Sequence, residues 1–292
     1  MFREPQAVAG GPAMRERLAK TVDAHKYTHG HALILSGGPA KGGAARLAAR
    51  GALRIGAGLV TVGCPPEALT ENAARLDAVM LEPIADADAL AVVLEDKRIN
   101  ALGLGPGLGT GKREAALVAG VLGAGRASVL DADALTILAG KPDLLAALHD
   151  TCVLTPHSGE FGRLFPDIAE KLAAPAAKGP AYSKVDATRE AAKRAGCVVL
   201  YKGPDTVIAD SDGRCSINSA HYERAAPWLA TAGSGDVLSG FIAGLLARGF
   251  APMQAAEIAA WLHVECARRF GPGLIAEDLP EAVPAVFRDL GL

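Results

Sequence analysis

Short, nearly continuous apolar runs alternate along this chain with longer stretches in which apolar residues recur every three or four positions. The runs are His31–Ser36 (HALILS), Leu59–Gly63 (LVTVG), Ile99–Gly103 (INALG), Ala127–Asp131 (ASVLD), Cys152–Thr155 (CVLT) and Cys197–Lys202 (CVVLYK). Strands covered by helices on both faces read this way, because both sides of the pleat meet apolar neighbours. Helical spacing appears near 43–57, 66–75, 110–123, 132–148, 158–165, 184–195, 236–248 and 252–270. Strand followed by helix, repeated, predicts an α/β fold with a mainly parallel sheet between two helical layers. One segment breaks the alternation: Thr206–Asp210 and Arg214–Asn218 flank Ser211-Asp212-Gly213. Asp-Gly supplies the positive φ of a tight turn, so the pattern predicts an antiparallel hairpin at the sheet edge. The stretch Ala173–Ala181 (AAPAAKGPA) reads as a loop within a domain, since the alternation resumes after it. The expected organisation is a loosely attached, partly helical leader over residues 1–20 and a single domain over 21–292.

Polar and glycine-rich clusters sit where the predicted strands end. The strongest is LATAGSGDVLSGF, in which Ala232-Gly233-Ser234-Gly235 precede Asp236 and a helix with Val237, Leu238, Phe241, Ile242, Leu245 and Leu246 on its buried face. A glycine-rich turn opening a helix presents free N–H groups and the positive end of the helix dipole, which attract phosphate. A carboxylate beside such a hole can take a proton from an attacking hydroxyl. Ser234 and Asp236 could equally serve as ordinary helix caps. Gly103–Gly109 (GLGPGLG) fits neither the G-x-G-x-x-G fingerprint nor a P-loop. It can still bring backbone close to a ligand at the C-terminal edge of a sheet. Gly37–Gly43 (GGPAKGG) is another strand-to-helix turn, and Lys41 within it could meet a phosphate, although on its own it reads rather as a solvated loop lysine. In Leu154–Glu160 (LTPHSGE), Pro156 stops the strand, Ser158 can cap the helix, and His157 faces the ligand side or is a plain loop histidine. In Leu200–Thr206 (LYKGPDT), Lys202 is a candidate phosphate partner or an edge lysine. Asp131 and Asp133 could line the site, with capping the default for Asp133. In a parallel sheet these strand ends share one edge, and their convergence points to a nucleotide site.

Composition narrows the classes. A net charge of −2 with no long run of one sign argues against a nucleic-acid or anionic-membrane partner. No stretch is apolar enough for a membrane span. The opening MFREPQAVAG carries charge and proline where a secretory signal needs an apolar core. Five scattered cysteines without C-x-x-C spacing, and histidines without H-E-x-x-H, predict neither disulfides nor structural zinc and fit the reducing cytoplasm.

Taken together, KGGAARLAARGALRIGAGLVTV (Lys41–Val62), GLGPGLG, VLDADALTIL (Val129–Leu138), LTPHSGEFGRLF (Leu154–Phe165), YKGPDTVIA (Tyr201–Ala209) and LATAGSGDVLSGFIAGLLARG (Leu229–Gly249) resemble the ADP-dependent NAD(P)H-hydrate dehydratases. The resemblance covers about residues 25–290. It implies a ribokinase-like three-layer α/β/α sandwich and an enzyme, a hydro-lyase, that repairs hydrated NADH and NADPH while ADP becomes AMP and phosphate. ATP is the alternative co-substrate, and Mg²⁺ would neutralise phosphate charge. By that resemblance Asp236 is the base, and Gly233, Ser234 and Gly235 form the anion hole. Lys202, Gly203, Pro204, Asp205, Thr206 and Gly235 hold the nucleotide; Ala44, Gly107, His157 and Asp236 hold the hydrated dinucleotide. The resemblance also implies a homo-oligomer, such as a tetramer, and an NAD(P)H-hydrate epimerase as functional partner. The chain departs from the family at Asn218–Ala230, where many members carry Gly-Asn-Pro-Gly-Met-Ala. A superfamily kinase acting on a vitamin precursor would use the same base and anion hole. It would tend to place Asn where His157 stands. A non-catalytic nucleotide-binding protein is the third reading.

Overall fold

The computed structural model describes residues 4–176 and 179–292. Among these, ten strands form one sheet: β1 (Gln6–Ala7), β2 (His31–Leu35), β3 (Leu59–Cys64), β4 (Met80–Pro83), β5 (Ile99–Leu104), β6 (Ala127–Leu130), β7 (Cys152–Leu154), β8 (Val198–Tyr201), β9 (Asp205–Ala209) and β10 (Cys215–Ser219). Their spatial order is β1-β10-β9-β8-β7-β6-β5-β2-β3-β4. From β4 through β8 every neighbouring pair is parallel. β9 runs against both β8 and β10, which gives the expected hairpin edge. Asp210 closes the hairpin turn by accepting from the N–H of Asp212 and Arg214, and Gly213 takes φ +84°.

Burial on both faces explains the apolar runs. In β2, Ala32 and Ile34 enter the core on one side of the sheet, while Leu33 and Leu35 enter the core on the other. β8 divides Val198 and Leu200 from Val199 and Tyr201 in the same way. The first core is covered by helices Gly43–Arg54, Ser234–Ala247, Pro252–Phe270 and Asp278–Asp289. Helices Ala87–Val93, Lys112–Gly123, Ala132–Gly140, Ser158–Leu164, Pro166–Ala173 and Lys184–Ala195 cover the second. The helix expected over 132–148 is two pieces, because Pro142 cannot continue the first and instead starts Pro142–Ala146.

Within residues 1–20, Gln6–Ala7 pairs with Ser216–Ile217, and the helix Pro12–Leu18 buries Met14 and Leu18. In the loop 173–181, Ala173 ends a helix, and residues 177 and 178 lie outside the described residues. All five cysteines are free and buried. Among the described residues no helix is long and apolar enough to cross a membrane.

Helix Ser234–Ala247 packs backbone to backbone on helix Gly43–Arg54. A β-carbon on Gly240 would lie 2.1 Å from the Ala48 carbonyl oxygen, so only glycine allows this approach. The contact brings the starts of both helices to the edge of the sheet where β2 and β5 to β8 end.

Candidate active site

Helix Ser234–Ala247 begins without a side-chain cap. Gly233 occupies the capping position in the left-handed region, φ +88°, and no side chain accepts from the first turn. The bland reading of Ser234 and Asp236 as caps therefore fails. The Ser234 hydroxyl turns away and donates to the Leu229 carbonyl at 2.8 Å. Buried His263 holds the turn from behind: its Nε2 lies 2.8 Å from the Ser234 carbonyl oxygen. Burial pulls the His263 ring down to about 4, so at neutral pH the ring is uncharged and its Nε2–H donates. The first N–H groups of a helix have no partner within it. The Ser234 N–H reaches back to the Thr231 carbonyl at 3.4 Å, while those of Gly235 and Asp236 make no hydrogen bond among the described residues and stay available for an anion.

Asp236 stands one turn into this opening. Burial first, and the negative charge of Asp131 second, push its carboxyl up to about 6, against the opposing pull of Lys202. A carboxylate of that basicity is ionised at neutral pH yet can still accept a proton usefully.

Lys202 lies at the end of β8, and its Nζ is 3.6 Å from where a β-carbon on Gly235 would sit. The ammonium is fixed by buried carboxylates, 2.8 Å from Asp131 Oδ1 and 3.9 Å from Glu160 Oε2. Asp131 also accepts from the Ser239 hydroxyl at 2.7 Å and caps helix Ala132–Gly140 through the Ala132 N–H. It thus joins three elements. Asp133, expected to be the cap, accepts instead from the Gly109 N–H at 2.8 Å and pins the GLGPGLG turn.

His157, not Ser158, caps the helix that follows β7. Its Nδ1 accepts from the N–H groups of Gly159 and Glu160, and Glu160 Oε2 accepts from the His157 N–H at 2.8 Å. The imidazole remains more than half exposed, with Nε2 3.4 Å from Glu160 Oε1. The turn Gly203–Asp205 is held from below by Lys184, whose ammonium donates to the carbonyls of Lys202 and Asp205 at 3.0 and 2.7 Å. Burial pulls Lys184 down to about 8. Thr206 donates to the Gly203 carbonyl.

At the Gly233 turn opens a mostly apolar pocket of about 530 Å³, lined by Lys202, Gly203, Pro204, Thr206, Ser234 and Gly235 at its polar end and by Leu229, Leu238, Ala260, His263 and Val264 elsewhere. Asn218 also lines it, its amide donating to the Ala260 carbonyl. Exposed Asp205 sits at its rim, 3.8 Å from the His221 ring. Outside the lining of that pocket, Gly107 takes φ +65°, and a β-carbon there would lie 2.8 Å from the Lys41 carbonyl and 3.7 Å from the Ala44 methyl. Lys41 itself is exposed.

The turns singled out in the sequence therefore gather on one edge. Sequence reading did not single out Glu160, Ser239, Lys184 and His263. The first two left a trace: Glu160 follows His157 at the spacing of a capping box, and Ser239 follows Asp236 by three on one helix face. Lys184 and His263 left none.

Comparison with known proteins follows the same line. A family model for NAD(P)H-hydrate dehydratase matches residues 32–281. The bifunctional NAD(P)H-hydrate repair enzyme Nnr of Gloeobacter violaceus is 39% identical over 280 residues, covering 94% of this chain and 51% of that protein. That of Moorella thermoacetica is 36% identical, with 91% and 51% covered. The chain spans about half the length of these curated relatives. An ADP/ATP-dependent NAD(P)H-hydrate dehydratase from Bacillus subtilis, co-crystallised with ATP and Mg²⁺, superposes with TM-score 0.76 at 27% identity, covering 97% of this chain and all of that one. A ribokinase-like superfamily protein from Enterococcus faecalis, 20% identical, shares the fold with TM-score 0.78 over 99% and 98% of the two chains. The architecture is thus the ribokinase-like α/β/α sandwich, and the chain belongs to the NAD(P)H-hydrate dehydratase family.

Proposed function

We propose that this chain dehydrates the S form of hydrated NADH and NADPH, converting ADP to AMP and phosphate. The observation that carries the reading is Asp236: a carboxylate held near pKa 6 beside an uncapped helix start, between a pocket ending in Lys202 and the Ala44–Gly107 turns. Lys202, Gly203, Pro204, Asp205, Thr206 and Gly235 hold the nucleotide. Ala44, Gly107 and His157 hold the hydrated dinucleotide on the opposite side.

Asp236 takes the proton of the hydrate's hydroxyl as that oxygen attacks the terminal phosphorus of ADP. The N–H groups of the Gly233–Gly235 turn stabilise the charge on the transferring phosphoryl, and AMP departs. The ring C–O bond then breaks with its electron pair leaving on phosphate, and a neighbouring ring carbon loses a proton. The hydrate's oxygen leaves within phosphate and the dihydronicotinamide returns. Among the described residues no cluster of three or more His, Cys, Asp or Glu side chains could cage a metal. A magnesium ion would therefore be held chiefly by the nucleotide's own phosphate oxygens, where it supplies charge neutralisation.

The proposed catalytic unit spans residues 21–292, with strand Gln6–Ala7 and helix Pro12–Leu18 packed onto it, and acts as a homo-oligomer. An epimerase interconverting the R and S hydrates would supply its substrate, which accords with the bifunctional name of relatives twice its length. The test is incubation with ADP, Mg²⁺ and hydrated NADH, with ATP in parallel. Recovery of the NADH absorbance with equal release of AMP and phosphate is expected. No recovery, together with phosphorylation of a vitamin alcohol, would replace this reading with the kinase.

A further inference from the structure

A second groove runs along helix Gly43–Arg54, with a lining distinct from that of the pocket that ends at Lys202. Its volume is about 630 Å³, and Gly43, Arg46, Leu47, Arg50, Arg54 and Arg75 line it. Its place beside the reacting centre follows from two contacts. Leu47, a lining residue, would touch a β-carbon on Gly233 at 2.8 Å, and Gly43 is the chain neighbour of Ala44. The two spaces share no lining residue.

The charge of the groove is not consumed within the fold. Arg46, Arg50 and Arg54 repeat every four residues and so share one face of helix Gly43–Arg54. Arg46 is tied to Glu71 and Asn72. Arg50 and Arg54 share the single carboxylate of Glu281, each spending one N–H on it. The Arg75 side chain makes no hydrogen bond or ion pair among the described residues, although it lies within electrostatic reach of Glu71. Asp77 and Glu277 are the acids within the lining. Four guanidinium groups, most of their N–H donors unspent, suit a ligand with several phosphate oxygens, which the planar fork matches two at a time. Leu47, Leu53 and Leu76 add the apolar surface a base could cover.

We infer that this arginine groove binds the diphosphate and adenylyl half of the hydrated dinucleotide while its damaged ring lies at Asp236. The inference rests on the proposed substrate. A dinucleotide carries a phosphate-rich half that takes no part in the chemistry, and the pocket ending in Lys202 is taken by the nucleotide co-substrate. Binding energy from that remote half would lower KM without entering the chemical step.

The test uses the full chain carrying Arg50→Gln, Arg75→Gln or both. The Arg75 side chain has no hydrogen bond to lose, and the backbone N–H bond to Asn72 survives its replacement, so the fold stays intact. With hydrated NADH and NADPH, the double variant should raise KM about tenfold, with kcat changing far less and KM for ADP unmoved. Hydrated, reduced nicotinamide mononucleotide lacks the adenylyl half and should show the same KM for both proteins. Unchanged KM for the dinucleotides, or an equal loss with the mononucleotide, overturns the inference. Calorimetric titration with intact NADPH separates it from the repair reaction. A wild type inactive on every hydrate but binding NADPH, with affinity about fivefold weaker in the variant, would sink the proposed activity and keep the groove. Equal binding, or none, overturns the groove. Sedimentation showing that either substitution dissociates an oligomer would instead assign this face to a second copy of the chain.

Discussion

Two helices begin at the ligand edge of the sheet from similar sequence, a small-residue turn with serine, glycine and an acid, yet they start in opposite ways. At Ser158–Leu164 the N–H groups are taken: His157 accepts two of them and Glu160 reaches back to close the box. At Ser234–Ala247 the capping position is glycine, the serine bonds elsewhere, and the acid makes no cap, its Oδ2 lying 4.0 Å from where a β-carbon on Gly233 would sit. A closed start stabilises its helix by about 1 kcal/mol and has nothing left for an anion; an open one gives up that stability and keeps its donors. The contrast leaves residue 233, and not residue 157, with donors free for the proposed phosphate chemistry, and His157 with an exposed ring edge.

The largest effect that would break this contrast is at Asp236. Asp236→Asn should lower turnover by a factor of about 10² to 10⁴ while nucleotide binding persists, read by steady-state assay and calorimetry. The same variant tests the cost of the buried charge. Asp236 is pushed from an ordinary 3.8 to about 6, so the fold favours its protonated form. Its ionisation therefore destabilises the protein progressively as pH rises from about 4, fully so above about 6. Asp236→Asn should raise the melting temperature at pH 7.5 and leave it nearly unchanged at pH 4; the reverse order would contradict the assignment.

Smaller is the effect of Asp131→Asn. It removes a negative neighbour that raises Asp236, so the acid limb of kcat/KM, expected near pH 6 in the wild type, should move to lower pH. A merely structural role would reduce activity without moving that limb. Smallest is His157→Ala, which opens the capped start. It should lower the melting temperature by roughly 2–4 °C through a lost cap of about 1 kcal/mol. KM for the hydrate should rise, while KM for ADP stays as it was.

The fold was largely legible because most strands are buried on both faces and announce themselves as apolar runs. The elements that escaped lack that signature. β4 is an edge strand with Met80 exposed, Glu82 within it and Pro83 at its end. Helix Asp278–Asp289 contains Pro280 and Pro284, which read as breaks in a sequence. In the site, glycine-rich turns were visible as local patterns. Which carboxylates hold Lys202 was not, because Asp131 and Glu160 reach it only through the order β6-β7-β8, a long-range fact. Likewise, whether Asp236 caps its helix or faces a ligand depends on Gly233's backbone angle, not on residue type.

The Gly240–Ala48 contact carries a mechanical consequence. Two helices that touch through their main chains cannot slide or part without opening a void that no side chain is there to fill. The carboxylate of one and the alanine turn of the other therefore form a stiff jaw whose gap is set before any ligand arrives, and any adjustment to the proposed nucleotide would fall to the wall of the pocket formed by the 219–230 stretch.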